Sequence, residues 1–139
     1  MQLHSNIIGE GKPFIILHGF LGMSDNWKTL GKKFSEQNLE VHLVDQRNHG
    51  RSFHDQTFNY EVLVEDLKTY CNEHSLKDII LLGTDVHAWE MLSILHRVNE
   101  IRPTWNILGF IAHENSKVKE EVKLELPILG QGKDVKKFP

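Results

Sequence analysis

Four continuous runs of aliphatic and β-branched residues recur along the chain: Pro13 to His18, Val41 to Asp45, Asp78 to Gly83 and Trp105 to Ile111. Continuous rather than alternating hydrophobicity predicts strands buried on both faces of a parallel sheet. A weaker run, Leu126-Pro127-Ile128-Leu129-Gly130, carries a proline that suits an edge strand or a strand start. Leu3 to Ile8, followed by Gly9-Glu10-Gly11, predicts a short antiparallel edge strand with its turn.

Helical periodicity fills the intervals. Ser24-Asp25-Asn26 offers N-cap residues for a first helix with Trp27, Leu30 and Phe34 on one face. A second helix starts near Asn59 and turns Leu63, Val64, Leu67, Tyr70 and Cys71 inward. A third runs from Ala88 through Met91, Leu92, Leu95 and Val98 until Arg102-Pro103 stops it. Strands alternating with helices of this length predict an α/β fold: a doubly wound, flavodoxin-like or Rossmann-like three-layer sandwich, mostly parallel, with an antiparallel N-terminal edge strand.

At 139 residues and 40% apolar composition, one domain with a hydrophobic core is expected. The net charge of -3 and the scattered Lys and Arg argue against a nucleic-acid partner. Cys71, the single cysteine, excludes an internal disulfide. No apolar run approaches the ~20 residues of a membrane span, and the N-terminus lacks a signal-peptide pattern, so the expected location is cytoplasmic. The nine histidines show no zinc-site spacing, and neither a metal nor a cofactor is expected.

His18-Gly19-Phe20-Leu21-Gly22 follows the first of these runs, and Asp45-Gln46-Arg47-Asn48-His49-Gly50-Arg51-Ser52 follows the second. The pair, each after its own strand, resembles the small esterase-like members of the α/β-hydrolase fold family over about residues 1 to 83. The resemblance implies that the Phe20 backbone N–H is half of an oxyanion hole. It implies a mostly structural role for the Asp45 to Ser52 turn, with His49 a locally bonded loop histidine.

That family places a nucleophile serine on a strand-to-helix elbow, G-x-S-x-G. Here the elbow reads Gly83-Thr84-Asp85-Val86-His87-Ala88, with Asp85 in the serine's place and His87 in the second glycine's. Aspartate nucleophiles serve the dehalogenase and epoxide-hydrolase branches of the fold, but a histidine crowds the elbow. The family's catalytic acid and histidine come from loops after later strands, beyond the length present here.

From Asp78 onward, the strand, the His87-Ala88 loop, the strand ending Gly109-Phe110-Ile111 and the segment Leu126 to Gly130 resemble the N-terminal Rossmann-like domain of sugar O-acyltransferases of the sialic-acid and bacillosamine type. That resemblance implies a loop near a nucleotide or sugar, although Asp85 would repel a pyrophosphate.

Two half-families meeting at residues 77 to 83 lead to the expectation of an engineered or recombined chimera, 1–77 hydrolase-like and 78–139 acyltransferase-like, without catalysis. A hydrolase fragment with Asp85 as nucleophile and a weak nucleotide-sugar binding module are the alternatives. For the latter, Gly19, Phe20, Gly83, Thr84, Val86 and His87 would line the ligand crevice. The chain ends before a helix that would cover Ile79 to Leu82 and Ile107 to Ile111, so a homodimer is expected to bury that face.

Overall fold

The computed structural model describes residues 2–82 and, as backbone, the strands Phe110–Ala112 and Ile128–Gln131. The chain divides into two compact units, Met1–Arg97 and Val98–Pro139.

In the first unit the elements are β1 (Ser5–Ile8), β2 (Lys12–Leu17), a 3₁₀ turn (Ser24–Trp27), α1 (Lys28–Ser35), β3 (Leu39–Val44), α2 (Tyr60–Glu73) and β4 (Ile80–Leu82). They form a mixed sheet in the order β1-β3-β2-β4. β2 runs parallel to both β3 and β4, and β1 is antiparallel to β3 with Ser5 opposite Val44. The expected antiparallel edge strand is therefore present. It pairs with β3 rather than with β2, which follows it in the chain.

Phe14 to Leu17 of β2 and Val41 to Val44 of β3 are buried, as their unbroken hydrophobicity requires of strands covered on both faces. Phe14 meets Phe34 of α1 at a ring distance of 4.8 Å, and a Cβ at Gly31 of α1 would sit 3.0 Å from Leu43 Cδ2. On the other face His42 reaches Tyr70 of α2. Because successive strand side chains alternate, α1 and α2 cover opposite faces, and Gly31 lets α1 lie close to the sheet.

α2 matches its expectation closely: Asn59 caps it by accepting from the Val62 N–H at 2.9 Å, and Leu63, Val64, Leu67, Tyr70 and Cys71 are buried. α1 departs from its expectation. Ser24 to Trp27 form a 3₁₀ turn, and Ser24 is no cap: its buried hydroxyl accepts from Asn6 Nδ2 at 3.0 Å. A competing partner on β1 has drawn the side chain away from the helix end.

In the second unit, β5 (Phe110–Ala112) and β6 (Ile128–Gln131) pair in parallel, with a register shift between Phe110 and Ile111. They form a two-stranded sheet of their own. The α/β class and the mixed sheet stand. Of the expected flavodoxin-like order, the β3-β2-β4 portion is formed among the described residues. The helix expected from Ala88, and the side chains on which the expected dimer face depends beyond β4, lie outside the described residues.

Candidate functional site

Parallel strands present their carboxyl ends along one sheet edge, where loops can converge. β2 delivers His18 to Gly22 there and β3 delivers Asp45 to Ser52. Ile16 pairs with Leu82, so β4 ends at the same edge.

The first loop is a tight turn closed by Gly22 N–H donating to the Gly19 carbonyl at 2.9 Å. Its third residue, Leu21, has φ +64°, a left-handed conformation uncommon outside glycine. Phe20 at its tip is 65% exposed.

The second loop is organised by Asp45. This buried carboxylate accepts from Ser24 N–H at 2.5 Å and from Arg51 N–H at 3.0 Å. Burial opposes its ionisation, but the amides of Arg51 and Ser24 hold the carboxyl below its ordinary value. Gly50, at φ +53°, passes so close that an added Cβ would stand 2.3 Å from the Asp45 carboxylate. Glycine is required there both for its backbone conformation and for the room it leaves. Ser52 closes the base of the loop, donating to the Asp45 carbonyl at 2.5 Å and accepting from His4 N–H at 2.8 Å.

Arg47 anchors the same loop to α2. Its Nε and Nη2 donate to the two Asp66 oxygens at 2.5 and 2.7 Å, and Nη1 donates to the Thr57 carbonyl at 2.9 Å. Asp66 raises the guanidinium pKa above its ordinary value.

Two histidines join the loops. His18 donates from Nδ1 to the Gly19 carbonyl at 2.9 Å and accepts at Nε2 from Gln46 N–H at 3.0 Å, while Gln46 Nε2 donates to the His18 carbonyl at 2.5 Å. Burial lowers the His18 pKa, the Gly19 carbonyl acts against it, and His49 adds to the lowering. His49 donates from Nδ1 to the Arg47 carbonyl at 2.9 Å and accepts at Nε2 from Leu21 N–H at 3.3 Å. Both rings are thus neutral Nδ1–H tautomers. Phe20, His49 and Phe58 form an exposed aromatic rim with ring distances of 5.9 to 6.4 Å.

Of the residues expected to line a ligand crevice, Gly19 and Phe20 lie in the first loop. Gly83, Thr84, Val86 and His87, together with Asp85, lie outside the described residues. The sequence reading missed Gln46, Leu21 and Phe58. Gln46 sits within a recognised motif, and its pairing with His18 follows once β2 and β3 are known to be neighbours; Phe58 carried no signal. A shallow groove between β1 and α1, lined in part by Asn6, Ile8, Lys28 and Lys32, contains none of these loop residues. Among the described residues no group of three metal-ligating side chains occurs, and no helix is long and apolar enough to cross a membrane.

The mixed α/β sheet thus carries a His-Gly turn after one central strand and an Asp-to-Ser loop after its neighbour, the two motifs placed there by the sequence. Residues 12–86 match the alpha/beta hydrolase fold family, and the chain belongs to that family. It is 36% identical over 88 residues to Ethanol acetyltransferase 1 of Cyberlindnera fabianii, covering 62% of this chain and 26% of that protein. A putative esterase/lipase of Haemophilus influenzae is 36% identical over 69 residues, covering 50% of this chain and 24% of that protein. Among solved structures, a marine microorganism esterase superposes with TM-score 0.62 at 34% identity, covering 67% of this chain and 37% of that one. The chain spans about a quarter of the length of these curated relatives.

These findings overturn two expectations. The chain was expected to be a non-catalytic chimera and not an enzyme, yet its relatives are named as acetyltransferases and esterases. The two motifs that precede the atypical elbow lie within the matched range and outweigh the departure at Asp85. The family match also runs through residue 86, past the junction placed at 77 to 83. The sugar O-acyltransferase resemblance of the second half finds no support in these relatives.

Proposed function

We propose that this chain carries the carbonyl-oxygen-binding part of an acyl-transfer site, taking a carboxylic ester as acyl donor and water or an alcohol as acceptor. The observation that carries this reading is the Gly19 to Gly22 turn, held at the carboxyl edge of the parallel strands by His18 and His49 with Phe20 exposed at its tip. The Phe20 N–H is the oxyanion donor. A fixed amide aimed at a carbonyl oxygen stabilises the charge that develops there as the carbonyl carbon is attacked. The names of the relatives, esterase and alcohol acetyltransferase, support the same reaction class, since the two differ in whether water or an alcohol takes the acyl group.

Asp85 stands in the nucleophile's place, within the matched range. Its carboxylate oxygen attacks the acyl carbon, the ester C–O bond breaks, and the departing alkoxide takes a proton from water. Water or an alcohol then attacks the acyl carbon of the resulting anhydride, regenerates the carboxylate and gives its proton to the hydroxide left by the first step. Turnover of p-nitrophenyl acetate by the full chain tests the proposal. Release of nitrophenol above the buffer rate, lost in Asp85→Asn with the fold intact, is expected; a rate equal to buffer, or one unmoved by Asp85→Asn, overturns it.

A further inference from the structure

We infer that His49 is a positioning residue whose Nε2 lone pair holds the Phe20 turn in its working conformation; the functional part of this inference rests on the acyl-transfer reading above. The middle peptide of the turn, between Phe20 and Leu21, could point either way. In the observed orientation Leu21 is forced to φ +64°, whereas flipping that peptide would return Leu21 to the favoured negative region. The strained orientation needs an outside partner, and the partner is His49: Leu21 N–H donates to Nε2 at 3.3 Å.

His49 is itself over-determined. Its Nδ1–H donates to the Arg47 carbonyl at 2.9 Å, which leaves Nε2 as the acceptor. Arg47 is locked to α2 through Asp66 and to the chain before it through Thr57. The ring lies among His18, Phe20 and Phe58, with centroids at 5.0, 5.9 and 6.0 Å. The conformation of the turn that carries Phe20 thus depends on the Nε2 acceptor of one ring.

The test uses the isotope-labelled full chain. His49→Phe keeps the aromatic contacts and deletes the acceptor, while His49→Gln can present an amide oxygen near the Nε2 position. With the unfolding midpoint unchanged, His49→Phe is expected to displace the Phe20, Leu21 and Gly22 amide resonances. It should lower kcat for p-nitrophenyl acetate about 10- to 100-fold with KM altered less than about twofold, and His49→Gln should restore kcat to within about fivefold. In the unmodified chain the Leu21 amide should exchange with solvent more slowly than the neighbouring Phe20 amide, a readout that needs no variant to fold. Turn amides that stay fixed in His49→Phe, or a Leu21 amide that exchanges as fast as the Phe20 amide, overturn the inference. If the amides respond while the unmodified chain turns over no ester, the structural part of the inference stands and the acyl-transfer reading fails.

Discussion

His42 Nδ1 and Tyr70 Oη lie 2.7 Å apart across the interface between β3 and α2, where the histidine has no exposed surface. The other ring nitrogen donates to Glu40 Oε1 at 2.8 Å, and Tyr70 Oη lies 2.8 Å from Ser5 Oγ on the edge strand. Burial lowers the His42 pKa against the pull of Glu40, and burial raises the Tyr70 phenol to about 12. A neutral imidazole therefore bridges the Tyr70 hydroxyl at one nitrogen and the Glu40 carboxylate at the other.

Acid should weaken the fold through this ring and through His18. Both have folded-state pKa values below the ordinary 6.5. Below that pH the unfolded chain takes up protons that the folded chain refuses, so stability is level above it and falls as the pH drops toward the lowered values. Urea midpoints measured from about pH 8 to pH 5 should be flat and then decline, with a shallower decline in His42→Asn. A midpoint that rises on acidification contradicts the assignment.

Tyr70→Phe removes the hydroxyl that partners His42 and leaves a buried ring nitrogen unpaired. The expected loss is about 1–3 kcal/mol by denaturant unfolding.

Gly50→Ala should be among the costliest small substitutions. The new methyl collides with the Asp45 carboxylate, and the backbone at φ +53° disfavours any side chain. A destabilisation of about 3 kcal/mol is expected, together with displaced Ser24 and Arg51 amide signals.

The Arg47 and Asp66 pair predicts an asymmetry. Their side chains are only 10% and 14% exposed, so Arg47→Leu leaves a carboxylate without its partner and should cost about 3 kcal/mol. Adding Asp66→Leu should recover a substantial part of that loss, because the second uncompensated charge is gone. A double variant less stable than Arg47→Leu alone would contradict this.

Cys71 should resist thiol reagents in the native state. It is buried on α2, and burial raises its thiol to about 12, leaving little thiolate near neutral pH. Reaction with an Ellman-type reagent should track global unfolding across a denaturant series.

The sheet strands and α2 were legible because their signals are local and agree with one another: unbroken apolar runs for β2 and β3, and a cap plus a buried stripe for α2. The start of α1 was not, since Ser24 is as good a cap as a hydroxyl can be and only the position of Asn6 decides otherwise. Within the site, the motif after β3 was visible but its wiring was not. That His49 accepts from Leu21 depends on two loops meeting, 28 positions apart in the chain. The functional expectation failed for a different reason. The atypical elbow at Asp85 and His87 points away from catalysis, whereas both motifs upstream of it fit the family.

The bonds of Ser52 and Asp45 to His4 bear on how this molecule opens. His4 N–H donates to Ser52 Oγ and Asp45 N–H donates to the His4 carbonyl, so the first residues of the chain clasp the loop that carries Arg47 and His49. Edge strands usually fray first and alone, their amides exchanging with solvent long before the interior does. Here the edge cannot detach without releasing the loop, and the two should exchange their protons as one cooperative unit. An affinity tag that pulls on the N-terminus would then loosen the far end of β3 as well.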